Sequence, residues 1–227
     1  MIEHRFSSGT NDPQAPLVLC LHGHGMDPDW FAFLLQKLFA LAGHFVIPRA
    51  SIPVTTASGR SGASWYEYDG NQERFLEELA RVEGDLLHFL DELEAAHDLV
   101  PRTKIVLGFS QGGYAGAFLA LRHPERFGGL IVSGARIKTE ALTREIPEAA
   151  RTGLKVLLCH GRRDRLVPSD AAERSRRDLI AGGVVVTTQT FAAGHSLDRE
   201  QIRAIRQWLA STFAMGAEAQ ATGKSGA

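Results

Sequence analysis

Six short apolar runs punctuate the chain, at positions 17–21, 45–47, 104–107, 130–132, 155–159 and 184–191. Most are apolar almost throughout instead of alternating with polar residues, the mark of strands buried on both faces. Longer stretches separate them, at 30–41, 71–97, 111–122, 169–181 and 198–213, with apolar residues recurring every three or four positions. In the second of these the stripe is Phe75, Leu79, Val82, Leu86, Phe89 and Leu90. Strands alternating with amphipathic helices leave few solutions. The expected one is an open, mostly parallel sheet covered by helices on both faces.

Local signals sharpen the boundaries. Pro124 stops the third helix. Ser169 reads as the N-cap of the fourth, and the Gly182-Gly183 pair ends it. Asp198 starts the last. Two segments break the rhythm. Positions 49–70 read as a long loop carrying the pair Trp65-Tyr66, and loops of that length in a compact domain are usually functional. Positions 215–227 are small and polar and read as a flexible tail, which leaves 1–214 as one domain.

Composition removes whole classes of function. The 227 residues carry a formal net charge of −1, so no global basic field recruits nucleic acid or an anionic membrane. Two cysteines, Cys20 and Cys159, cannot build a disulfide scaffold, and both read as free buried thiols. No apolar run approaches the ~20 residues of a membrane span, and the first residues show no leader pattern. The expected location is the cytoplasm.

The chemistry gathers around Gly108-Phe109-Ser110-Gln111-Gly112. A strand runs into this G-x-S-x-G and a helix leaves it, the setting a strained nucleophile turn requires. Side chains two residues before and after the serine would collide, so both positions are glycine. A serine hydroxyl needs an adjacent base, and the base needs a group that orients it. His195 follows the strand at 184–191 and Asp164 follows the strand at 155–159. The chain order Ser110, Asp164, His195 is that of α/β-hydrolases. Asp170, in the first turn of a helix, is the rival acid. His22 and His160 stand directly after strands and read as histidines bonded to neighbouring backbone.

Leu21-His22-Gly23-His24-Gly25 follows the first central strand. Its glycines allow backbone N–H groups to turn into the cleft. The N–H groups of His24 and Gln111 are the expected oxyanion donors. Pro28 stands where a dinucleotide fingerprint would need its third glycine, and no phosphate-loop or zinc-protease motif is present.

These residues resemble a known family. Gly108-Phe109-Ser110-Gln111-Gly112-Gly113, the His22-Gly23 turn, His160-Gly161-x-x-Asp164-x-x-Val167-Pro168 and Gly194-His195 are similar to the phospholipase/carboxylesterase family, over roughly residues 17–210. The resemblance implies an α/β-hydrolase without a cap domain, Ser110 as nucleophile, His195 as base and acid, and Asp164 as orienting acid. It also implies an acyl pocket near Trp65 and Tyr66, short- to medium-chain acyl ester or thioester substrates, and no cofactor or metal. His24 stands where many relatives carry an apolar residue. The segment ahead of Leu17 leaves room for one edge strand at 2–7.

The leading expectation is a serine carboxylesterase. The same machinery in a lysophospholipase would call for an apolar mouth, for which helix 30–41 offers Phe31, Phe33, Leu34 and Leu35. In an amide or peptide hydrolase, Arg49 or Arg60 would hold a substrate carboxylate. A non-catalytic ligand-binding relative is the remaining reading. The expected partner is a small-molecule ester or thioester, with no nucleic acid and no integral membrane association; a homodimer is compatible with the sequence.

Overall fold

The computed structural model describes residues 2–56 and 59–216. A seven-stranded sheet forms its centre: β1 (His4–Ser8), β2 (Leu17–Leu21), β3 (His44–Pro48), β6 (Lys104–Phe109), β7 (Gly129–Ser133), β8 (Lys155–Gly161) and β9 (Val185–Phe191). Their order is β1-β3-β2-β6-β7-β8-β9. Only β1 runs antiparallel, against β3. A separate antiparallel hairpin, β4 (Ile52–Thr55) and β5 (Ser61–Ser64), lies outside this sheet. The helices are α1 (Pro28–Leu35), α2 (Gln72–Ala96), α3 (Gln111–Arg122), α4 (Glu145–Arg151), α5 (Ser169–Ala181) and α6 (Arg199–Thr212).

The two-residue period of a strand divides its side chains between two cores. Leu17, Leu19 and Leu21 of β2 enter the core to which α2, α3, α4 and α5 also contribute. Val18 and Cys20 of the same strand face α1 and α6. The α2 stripe from Phe75 to Leu93 enters the first core, and Ile202, Ile205, Trp208 and Leu209 of α6 enter the second. Each large apolar side chain so buried contributes roughly 1.5–3 kcal/mol relative to exposure. Cys20 and Cys159 are free and buried, on strands separated by β6 and β7. Among the described residues no helix is long and apolar enough to cross a membrane.

Several boundaries differ from the sequence reading, each for a local reason. The first helix spans Pro28–Leu35 instead of 30–41. Asp27 caps it by accepting from the N–H groups of Asp29 and Trp30, and Pro28 sits where no N–H is needed. Residues 36–41 continue as tight turns, which still bury Leu38 and Leu41 and so preserve the apolar spacing. The expected apolar face is split: Phe31 and Leu35 are core, whereas Phe33 is 57% exposed and stacks on Trp30, itself 50% exposed. Pro168 occupies the N-cap position of α5, so Ser169 is the first helical residue and makes no cap. The edge strand is His4–Ser8, one to two residues later than expected. The stretch 49–70 contains the β4–β5 hairpin. Helix α4 carried no sequence signal. Met215, assigned to the tail, is fully buried, and the N–H of Ala42 donates to the carbonyl of Gly216. Residues 217–227 of that tail lie outside the described residues.

Candidate active site

Strand β6 ends at Phe109 and α3 begins at Gln111, so the chain reverses within Ser110. Its backbone stands at φ 53°, ψ −119°, a conformation that costs a side-chain-bearing residue roughly 1–3 kcal/mol. The surroundings enforce it. The Ser110 N–H donates to the carbonyl of Ser133 at 2.9 Å, and its own carbonyl accepts from Gly113 and Tyr114. A Cβ at Gly108 would stand 2.2 Å from the carbonyl oxygen of Gly112, and one at Gly112 would stand 2.2 Å from that of Leu21. The collision expected from the sequence is therefore real, and the spacing places the hydroxyl at the carboxyl end of the sheet.

Two further turns meet it there. Gly161 ends β8 so close to Gly194 that a Cβ would lie 2.3 Å from the Gly194 carbonyl oxygen. That contact brings Asp164 to His195. Asp164 Oδ1 accepts from the N–H groups of Leu166 and Val167, both at 2.9 Å, and its Oδ2 lies 2.8 Å from His195 Nδ1. A carboxylate only accepts, so Nδ1 carries the proton. Nε2 is left as the acceptor for the Ser110 hydroxyl, also at 2.8 Å. The Asp164 side chain is 1% exposed. Burial pushes its carboxyl pKa up, but the hydrogen bonds from Val167, His195 and Leu166 outweigh it and hold the group below the usual range. Asp170, the rival acid, is exposed on α5 and pairs with Arg174.

His22 and His160, the two histidines that stand directly after strands, bond to backbone. His22 Nδ1 donates to the Gly23 carbonyl at 2.8 Å, and Nε2 accepts from the Ala50 N–H at 3.2 Å. Burial holds this imidazole neutral, with its pKa lowered to about 4. His160 Nε2 donates to the Val167 carbonyl at 2.9 Å.

A cavity of about 550 Å³ opens in front of Ser110, and its walls include His24, Tyr66, Phe75 and Gln111. Trp65 does not line it. Its ring is buried against that of His22, and its indole N–H donates to the His22 carbonyl at 2.8 Å. Trp65 thus braces the turn that carries His24. The side chain of Gln111 makes a second brace. Its Oε1 accepts from the Trp65 N–H at 2.9 Å, and its Nε2 donates to Tyr66 O at 2.8 Å and to Ser64 Oγ at 2.9 Å. His24 Nδ1 lies 3.1 Å from the same Ser64 oxygen. Nothing in the sequence signalled this side-chain role, because it depends on a segment 45 residues away. Arg49 and Arg60 also lie outside the cavity wall; Arg49 pairs with Asp27 at 3.1 Å. The cationic side chains on that wall are Arg136 and Lys138, from the loop after β7.

A mostly parallel sheet with a serine at a strand–helix turn and helices on both faces makes this chain an α/β-hydrolase. It belongs to the Phospholipase/Carboxylesterase family, which matches residues 4–213, and it is a hydrolase enzyme. A probable carboxylesterase of Oryza sativa subsp. japonica is 28% identical, over 88% of this chain and 89% of the relative. Acyl-protein thioesterase 1 of Neurospora crassa is 29% identical, over 73% of this chain and 72% of its own. The crystal structure of Zea mays acyl-protein thioesterase 2 superposes with a TM-score of 0.77 at 21% identity, covering 94% of this chain and all (100%) of that one.

Proposed function

We propose that this enzyme is a serine esterase that hydrolyses short- to medium-chain acyl esters or thioesters through a covalent acyl-enzyme. The observation that carries the reading is the unbroken relay at the cavity: Ser110 Oγ to His195 Nε2 at 2.8 Å, and His195 Nδ1 to Asp164 Oδ2 at 2.8 Å.

In this reading Ser110 Oγ attacks the substrate carbonyl carbon while His195 Nε2 takes its proton. Asp164 stabilises the imidazolium and keeps its orientation. The carbonyl oxygen becomes an oxyanion, held by the N–H groups of Gln111 and His24. The Gln111 N–H lies in the first turn of α3, where it has no helical partner and the helix end is positive. His195 returns its proton to the departing alkoxide or thiolate. Water, deprotonated by the same nitrogen, then attacks the acyl-enzyme, and free acid leaves. Tyr66 and Phe75 supply the apolar wall for the substrate. A cytosolic place of action fits a small ester or thioester substrate.

The test is hydrolysis of p-nitrophenyl esters from acetate to dodecanoate, beside Ser110→Ala and labelling by a fluorophosphonate. Turnover by the wild type, lost in the variant, supports the mechanism. A wild type that is inert and unlabelled overturns it.

A further inference from the structure

The far wall of the cleft is polar in a way that acyl-chain binding does not require. Arg136 and Lys138 both reach the cavity that Ser110 lines. Lys138 is 8% exposed, and buried lysines are rare unless something offsets the desolvation of the ammonium. Its Nζ donates to Gln72 Oε1, lies 2.9 Å from Glu140 Oε1 and sits 5.7 Å from the centre of the Phe75 ring. Arg136 places its fork on the same Glu140, at 3.0 and 3.1 Å, and shares the cavity wall with Tyr114. Tyr114 stands one turn of α3 beyond Ser110.

The charges do not balance within the cluster. Two cations share one carboxylate, Glu140, whose side chain is 54% exposed and faces the solvent side. Glu140 lies off the cavity wall, and Glu67, the acid that lines it, is exposed. Nor does the loop need these charges to keep its place. The Ile137 N–H donates to Ser175 Oγ at 2.9 Å, and Thr139 Oγ1 donates to Asp178 Oδ2 at 2.5 Å. Anchors flanking Lys138 fix the backbone, and the cationic ends are left to face the cleft.

Building on the esterase reading, we propose that Arg136 and Lys138 form an anion-recognising end of the cleft, so the favoured ester carries a carboxylate or phosphate. Glu140 then acts as the internal competitor that the substrate anion relieves. This anion site defines specificity and takes no part in bond breaking.

The experiment compares kcat/KM within two matched pairs. One is p-nitrophenyl hemiglutarate against p-nitrophenyl valerate. The other is 2-acetoxyethyl phosphate against ethylene glycol monoacetate. The expected result is a preference of tenfold or more for the anion in at least one pair, weakening as salt is added. The pair that shows it identifies carboxylate or phosphate. Lys138→Met and Arg136→Met each lower that anion-to-neutral ratio roughly 10- to 100-fold, and Glu140→Gln raises it. A wild type that turns over the neutral esters without preferring either anion overturns the proposal and leaves the esterase reading intact. If no ester is turned over and a fluorophosphonate fails to label Ser110, both readings fall. Should a variant not fold, the wild-type ratio and its salt dependence still decide.

Discussion

The nucleophile turn and the cleft wall opposite it are held in place by different means. At Ser110 the backbone does the holding: main-chain bonds to Ser133, Gly113 and Tyr114, and close approaches that exclude any Cβ at Gly108 and Gly112. Across the cleft, side chains do it. Gln111 ties Ser64, Trp65 and Tyr66 together, and Trp65 in turn ties His22. A backbone-built element tolerates almost no substitution, while a wall assembled from side chains can be retuned one residue at a time. In the proposed mechanism the difference separates reaction from recognition within a single cavity.

Removing the proposed nucleophile tests the first region most severely. Ser110→Ala should lower kcat on p-nitrophenyl butyrate by a factor on the order of 10⁶ with KM little changed. A loss of less than a hundredfold would show that another group is the nucleophile. Asp164→Asn keeps an acceptor for the Leu166 and Val167 N–H groups but no longer fixes the imidazole tautomer. Its kcat should fall by about 10⁴ while the folded structure persists by circular dichroism.

Gly112→Ala asks whether the turn is backbone-determined. The new methyl meets the Leu21 and His22 carbonyl oxygens, so stability should drop by roughly 3 kcal/mol or more, read as a fall in urea midpoint. A variant as stable as wild type would dissolve the contrast between the two regions.

His22 joins those regions and gives the contrast a pH dependence. Its folded pKa is lowered to about 4 from an ordinary value of 6.5, chiefly by burial. The unfolded chain therefore binds the proton more tightly. Stability from this group is complete above pH 6.5 and is lost as pH falls toward 4, amounting to about 3 kcal/mol. Unfolding free energies measured across that window should slope less in His22→Gln than in the wild type.

The mildest effect belongs to the wall. Gln111→Ala keeps the backbone N–H and loses only the brace to residues 64–66. It should destabilise the protein by about 1–3 kcal/mol, with KM for longer acyl esters rising more than kcat falls. A kcat loss as deep as that of Asp164→Asn would place Gln111 with the reacting groups.

The same contrast explains what could be read in advance. Gly108, Gly112 and Gly161 are demanded by backbone collisions, so the motif around Ser110 and the turn leading to Asp164 were legible as patterns of residue type. The parallel sheet was legible because strands buried on both faces are apolar at every position, as in Leu17–Leu21. The β4–β5 hairpin was not, since Ser61–Ser64 reads Ser-Gly-Ala-Ser and pairs at Ala63 with the backbone of Gly25 and Met26. That Trp65 packs on His22 and bonds to its carbonyl was not legible either, because that contact joins segments 43 residues apart. Arg136 and Lys138 carry no sequence signal: nothing in their spacing marks the loop after β7 as part of the cavity wall.

The two thiols acquire an unexpected use. Cys20 and Cys159 lie in the same core layer, on strands that bracket the middle of the sheet. Burial pushes both thiols up, Cys159 to about 12, so neither offers a thiolate to a reagent while the protein is folded. Modification by a disulfide reagent must wait for the sheet to open. Its rate then clocks that opening from within, with no label added and no residue changed.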